Sequence, residues 1–285
     1  MKLTILGCGA ASGLPMIGVG WGDCDPANPR NRRLRASVLV QAGGKNLLVD
    51  TSPDMRQQLL RTGTTRLDGV IFTHTHADHT HGIDEVRQFN RFQKSAIDAW
   101  ATRQDLDYLI KKFDYIFDLI ENNPKGLTFY KPQLVTRELH WGQIAQISGV
   151  PVLPFGQDHG FSVTTGLRFG PIAYSTDVVR LDEAAFEALK GVRVWVIGCL
   201  QEAEHPTHAN LSRVLEWIDR VGPERAILTH LAHRMDYETL RARCPANVEP
   251  AYDGMCIEIA SEPATNGEWS DSVGPVLIGP MQISP

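Results

Sequence analysis

The chain has 285 residues, of which 42% are hydrophobic and 21% charged, and its formal net charge is −5. These are the values of an ordinary soluble globular protein with a full core. They disfavour a polymeric nucleic-acid partner, which clustered lysine and arginine would have to hold, and no apolar stretch approaches the ~20 residues that cross a bilayer. Five cysteines (Cys8, Cys24, Cys199, Cys244, Cys256) with no C-x-x-C pair argue against a disulfide framework and for a reducing, cytoplasmic location.

In chain order, "KLTILG" reads as a first β-strand, with no signal-peptide apolar core around it. "NPRNRRLRAS" gathers Arg30, Arg32, Arg33 and Arg35. The reading for Arg32–Arg35 is a solvated or salt-bridged surface, with contact to one phosphate as the alternative. "SVLVQAGGKNLLVD" reads as a hairpin turning at Gly43-Gly44, "MRQQLLRTG" as a helix and "LDGVIFTH" as a strand ending in histidine. "GIDEVRQFNRFQ" reads as a helix and "IDAWAT" as a strand. The longest helix is expected over "RQDLDYLIKKFDYIFDLIEN", where Leu106, Leu109, Ile110, Phe113 and Phe117 recur at helical spacing. Phe113, Tyr115 and Phe117 there offer a face for a homodimer, and residues 88–130 are expected to supply the pocket wall.

The second half repeats the rhythm. "AQISGVPVLPFGQDHG" is extended, "FSVTTGLRFGPIAYSTD" a hairpin, "EAAFEALKG" a helix, "VRVWVIGCL" a buried strand and "ANLSRVLEWIDRVG" an amphipathic helix. "RAILTH" follows as a strand and "YETLRARC" as a helix. The expected fold is α/β, two mixed sheets packed together with helices outside. One domain over 1–260, in two similar halves (1–145 and 146–260), is followed by a Gly/Pro/Ser-rich tail over 261–285.

The chemistry concentrates in "FTHTHADHTHG", which holds four of the chain's ten histidines. His74 and His76 lie two apart, with Asp78 and His79 directly after. Imidazoles with one hard oxygen donor suit a divalent transition metal. The split into His74/His76 and Asp78/His79 suggests two adjacent ions. Other apolar runs also end in ligand-type residues, at His159, Asp177 and His230, and strand ends converging at one sheet edge are where sites are built. A carboxylate such as Asp177 could bridge two ions. His140 and Cys8 are read as structural.

H-x-H-x-D-H after a strand, with later His159, Asp177 and His230, resembles the metallo-β-lactamase superfamily over roughly residues 1 to 260. That resemblance implies an αβ/βα sandwich, two mixed β-sheets with helices on both outer faces and a dinuclear site at one edge. His74, His76 and His159 would hold the first ion and Asp78, His79 and His230 the second, with Asp177 bridging. "GCGAASGLP", "DPANPRNRRLRAS", "HPTHANL", "LTHLAHRMD" and "YDGMCIEI" carry a narrower similarity to the phosphoribosyl cyclic phosphate phosphodiesterases, relatives of the tRNA 3′-processing endonucleases. That branch implies a structural zinc on three cysteines and a histidine, whereas "GVGWGDCDP" keeps only Cys24, with His233 present.

The implied function is a dinuclear metal-dependent phosphodiesterase, with Zn or Mn, acting on a small cyclic or nucleotide-like diester. Two ions ~3.5–4 Å apart would lower the pKa of a bridging water and clamp phosphoryl oxygens. Asp78 would orient that water, and His208 would give the leaving alkoxide its proton; the alternative is a helix-capping segment in which Thr207 or Asn210 does the polar work. Asp50 is expected to orient a ligand histidine, and His81, His205 and His233 to line the substrate or support ligands. A thioester or lactone hydrolase, and a non-catalytic metal-binding sensor, are the competing readings. Flavodiiron-type redox chemistry is disfavoured by the intact "HTHADH".

Overall fold

β-Branched and leucine-rich runs form two seven-stranded sheets in a computed structural model that describes residues 1–118 and 129–259. The first sheet contains β1 (Lys2–Gly7), β2 (Ser37–Ala42), β3 (Lys45–Val49), β4 (Gly69–Ile71), β5 (Ile97–Ala101) and β6 (Leu134–Glu138). The second contains β7 (Ala145–Ile147), β8 (Val150–Asp158), β9 (Val163–Phe169), β10 (Ile172–Ser175), β11 (Val194–Gly198), β12 (Arg225–Thr229) and β13 (Val248–Pro250). Strands follow each other in space in both sheets. The exception is β14 (Cys256–Glu258), which returns to the first sheet and pairs antiparallel to β1. The two halves of the chain are therefore stitched together by their last strand.

Alternation of side chains along each strand sorts the core into layers. Leu3, Ile5, Val38, Val40, Leu47, Val49 and Ile71 face inward against Val150, Val152, Leu167, Phe169, Tyr174, Val194, Val196 and Ile227 of the other sheet. The alternate residues Leu39, Leu48 and Val70 face outward, under α1 (Met55–Thr62), α3 (Val86–Gln93) and α4 (Arg103–Lys112). On the far side Ala173, Trp195, Ile197, Ala226 and Leu228 meet α6 (Glu183–Leu189), α7 (Leu211–Val221) and α8 (Tyr237–Arg243). Strands buried on both faces read as unbroken apolar runs, and each large side chain removed from water contributes roughly 1.5–3 kcal/mol. This is the sandwich the sequence led us to expect.

Three expectations change. The long helix breaks at Phe113 (φ −128°, ψ 43°) into α4 and the single turn α5 (Asp114–Phe117). The break turns Phe113 and the fully buried Ile116 into the core under β5 and β6, where a straight helix would have carried them past it. Phe113 is thus 8% exposed and spent within the chain, which removes it from a dimer face, while Tyr115 stays exposed and donates to Asp84. Arg33 is not a surface residue. It is 1% exposed, and its guanidinium donates to the carbonyls of Ala232 and Met235 and to Asn31 Oδ1. Arg35 pairs with Asp54 at 3.2 Å, Arg32 stacks on Trp21 and Arg30 on Tyr237. Finally, β6, β13 and β14 had no counterpart in the sequence reading. The tail 261–285 and the end of the predicted helix, 119–122, lie outside the described residues. No helix among the described residues is long and apolar enough to cross a membrane.

Candidate metal centre

Parallel pairing of β3 with β4 and of β10, β11 and β12 puts the C-terminal ends of these strands at one edge. Thr165 N–H donates to Thr73 O across the sandwich there, at 2.8 Å. Asp50 follows β3, His74 follows β4, His159 follows β8, Asp177 follows β10 and His230 follows β12. Asp50, Asp177 and His230 have φ of 63°, 48° and 55°. This left-handed backbone, unusual outside glycine, turns each side chain back over the strand end and stores strain at the site. His76 caps the single-turn α2 (Ala77–Thr80), which carries Asp78 and His79.

Two groups of donor atoms result, each with all members within 4.8 Å of one another: His74, His76, His159 and Asp177, and Asp78, His79, Asp177 and His230. Asp177 belongs to both. Its Oδ1 lies 4.0 Å from His74 Nε2, 4.0 Å from His159 Nε2 and 3.4 Å from His230 Nε2. Its Oδ2 lies 3.2 Å from His79 Nε2. Asp78 Oδ2 sits 3.2 Å from His79 Nε2 and 3.5 Å from His230 Nε2. All but His76 are buried.

The far nitrogens are tied to the protein. His79 Nδ1 donates to Asp50 Oδ2 at 2.7 Å, and His159 Nδ1 donates to Thr207 O at 2.7 Å. His74 Nδ1 meets Thr73 Oγ1 at 3.0 Å, and that hydroxyl donates to Asp50 Oδ2 at 2.8 Å. One carboxylate therefore steers a histidine in each group. These bonds hold the proton on Nδ1 and present Nε2 as a lone-pair donor. The Nε2 atoms of His74, His79 and His230 are buried without a hydrogen-bond partner, a costly arrangement unless a cation completes it. His230 Nδ1 also lacks a partner among the described residues.

The carboxylates of the site call for positive charge among them. Burial pushes His74 well below the usual histidine range and His159 down as well, so both rings are neutral, as ligation requires. Burial would also lower His79, but Asp177, Asp78 and Asp50 together hold it well above the usual range. Burial opposes the ionised Asp177, yet His230, His79 and His74 keep it well below the usual carboxylate range. An imidazole-rich donor set with two carboxylates suits Zn²⁺ and Mn²⁺ alike.

The remaining candidates divide. His208 Nε2 comes within 3.8 Å of Asp177 Oδ1, its ring edge-on to His159 at 4.7 Å and stacked on His230 at 5.0 Å. Asn210, one of the two residues named for helix capping, caps α7 and accepts from Arg213 N–H. His205 lies against His208 at 5.2 Å. His81 is exposed, bonded to Ala77 O and packed on Phe113. His233 lies outside both groups: its carbonyl accepts from Cys24 Sγ and Asp23 N–H. No third cluster of metal-type ligands occurs at Cys24 among the described residues. Cys8 is buried and directed at Asp253 and Ala251 O, and His140 is exposed beside Glu138. Thr73 carries no mark in the sequence, and Thr207, expected at most as a helix-capping group, instead offers its carbonyl to His159. Thr207 acts through a backbone carbonyl, which every residue possesses, so nothing in its identity could mark it.

The family model for the beta-lactamase superfamily domain matches residues 45–231. A solved diphosphatase of the PhnP family is 32% identical with a TM-score of 0.82, the match covering 91% of this chain and 98% of that one. An octanoyltransferase from Porphyromonas gingivalis is 30% identical over 259 residues, 90% of this chain and 51% of that protein. A ribonuclease Z from Bradyrhizobium sp. is 40% identical over 70 residues, 24% of this chain and 23% of that enzyme. The chain thus spans about half the length, or less, of these two curated relatives.

Proposed function

The chain belongs to the metallo-β-lactamase superfamily and carries the side chains of a metal-dependent hydrolase, and from that premise we propose that it hydrolyses small phosphodiesters, cyclic or nucleotide-like. The observation that carries this reading is the pair of donor groups sharing Asp177, with an imidazole beside them that belongs to neither, that of His208. Similarity to a diphosphatase and to a ribonuclease Z supports phosphorus chemistry. The octanoyltransferase name does not come across, because half of that protein lies outside the match.

In this reading His74, His76 and His159 would hold one ion and Asp78, His79 and His230 the other, with Asp177 common to both groups. Two divalent ions there would supply an activated water and offset charge on the phosphoryl oxygens. Asp50 fixes His79 directly and His74 through Thr73, so the donor atoms need not reorganise during the reaction. Asp78 orients the attacking water.

His208 delivers a proton to the leaving oxygen. Burial, reinforced by His230, lowers its pKa to about 3 against the pull of Asp177, so the free ring is neutral at pH 7. A bound phosphodiester adds a negative charge beside it, which favours the protonated ring.

Metal-analysed protein is assayed on bis(p-nitrophenyl) phosphate and on a 2′,3′-cyclic nucleotide. His208→Ala is expected to lose about 10²–10⁴-fold with the alkoxide leaving group of the cyclic nucleotide. The loss should be far smaller with p-nitrophenolate, which departs without help. Similar losses on both substrates, or none, would remove the acid role. Turnover of thioesters or lactones, with no diester hydrolysed by metal-loaded protein, would replace the reading altogether.

A further inference from the structure

Of the buried donor histidines, His74, His79 and His159 each have Nδ1 tied to a neighbour. His230 Nδ1 has no partner among the described residues. With no hydrogen bond to steer that ring, its backbone must. The backbone sits in the left-handed region, at φ 55°, a conformation that persists only where the surroundings over-determine it.

The supports on the two sides of His230 differ in kind. Before it, Thr229 ends β12, and its carbonyl accepts from Cys199 N–H at 2.8 Å. After it, Leu231 N–H donates to Cys8 O at 2.9 Å, and Leu231 O accepts from Ala10 N–H at 3.2 Å. Residues 8–10 lie past the end of β1, so they hold Leu231 only as firmly as they are held themselves.

Asp253 holds them. It lies on the crossover from β13 to β14, and its side chain is 5% exposed. Oδ1 accepts from Cys8 N–H at 3.1 Å and from Cys8 Sγ at 3.4 Å. Oδ2 accepts from Leu34 N–H at 2.8 Å, and Leu34 O accepts in turn from Gly9 N–H at 2.8 Å. Both oxygens therefore converge on the peptide between Cys8 and Gly9, one directly and one through Leu34. Arg61 Nη1, 3.6 Å from Oδ2, balances the charge. Hydrogen bonds to an ionised acceptor are about twice as strong as neutral ones. "GCGAASGLP" and "YDGMCIEI", which supply no donor to either metal group, meet at this carboxylate.

We propose that Asp253 is a positioning residue for His230. Through the Cys8 backbone it sets Leu231, and with it the ring that completes the group of Asp78, His79, Asp177 and His230. This rests on the two-ion reading above. Asp253→Asn keeps the volume but turns one accepting oxygen into a donor, so either Cys8 N–H or Leu34 N–H loses its acceptor. His74, His76 and His159 stand after β4 and β8, away from this clamp, and should not feel the change.

Stepwise Zn²⁺ binding to the full chain is measured by chelator competition, beside hydrogen exchange at the Leu231 amide. His230→Ala should retain one ion, and the constant it keeps identifies the group of His74, His76 and His159. Asp253→Asn is expected to keep that constant, to lose about tenfold in the other, and to exchange the Leu231 amide faster. Cys8→Ala removes the thiol but not the backbone N–H, and should change neither constant. If Asp253→Asn does not fold, Arg61→Ala carries the comparison, with a loss of about two- to threefold confined to the second ion. Equal weakening of both ions, or none, would overturn the positioning role and leave Asp253 as a brace of the fold. A loss in Cys8→Ala as large as that in Asp253→Asn would overturn the backbone route. A wild type that binds fewer than two ions would remove the two-ion reading itself.

Discussion

Asp50 shows how one side chain can matter to a site it does not enter. It is fully buried, accepts from Thr73 N–H, Thr73 Oγ1 and His79 Nδ1, and so sets the ring orientation of a histidine in each donor group. Asp50→Asn keeps the volume but turns one acceptor into a donor facing His79. Metal affinity measured by chelator competition should fall about 10–100-fold, and unchanged affinity would show that the rings orient themselves. At this scale the donors were legible, because H-x-H-x-D-H and the ligand-type strand ends lie openly in the chain. Asp50 was legible as a partner of one histidine. Its second connection was not, since it runs through Thr73, a residue type too common beside strands to mark itself.

Among the elements, α4 carries a titratable group away from the metals. Its N-cap Thr102 accepts from Asp105 N–H, and Thr102 Oγ1 donates to Asp105 Oδ2 at 2.6 Å. Burial, reinforced by Asp50, raises Asp105 to about 6 against the hydrogen bond from Thr102. A carboxylate near a helix N-terminus is normally favoured by ~0.3–1 kcal/mol, so here desolvation wins. The folded value exceeds the unfolded one, so the folded state binds more protons between pH ~4 and 6, and this group's contribution to stability falls as pH rises through that window. Asp105→Asn, fixed in the neutral form, should match the parent near pH 4 and exceed it at pH 7.5 by on the order of 1–3 kcal/mol. Thermal denaturation at the two pH values reads this directly; a variant less stable at pH 7.5 would show that the charge is favourable in place. Elements with a strong period were legible: the Gly43-Gly44 hairpin, the strands ending in ligands, α7. The break at Phe113 was not, because helical spacing continues through "FDYIF" and only the demand to bury Ile116 stops the helix. β13 and β14, three residues each, hold too few positions to show alternation. Their pairing is set by distant partners.

On the scale of the whole molecule, the two sheets matter because each brings strand ends to one edge, so that donors more than 150 residues apart, such as His74 and His230, can face one carboxylate. Net charge misled slightly. It speaks against a long polyanionic partner, but it could not show that the arginine cluster is used within the fold, with Arg33 and Asn31 clamping the segment after His230. That clamp and the return of β14 to β1 are long-range pairings, and sequence periodicity carries no information about either. A hydrolase that works through two ions meeting at Asp177 must lose turnover with its metal. Turnover of bis(p-nitrophenyl) phosphate is therefore followed in chelator-stripped protein as Zn²⁺ or Mn²⁺ is titrated back, with bound metal counted in the same samples. Turnover should be absent from the stripped protein and level off close to two ions per chain. Full turnover without metal, or a plateau at one ion, would rule out two-ion catalysis.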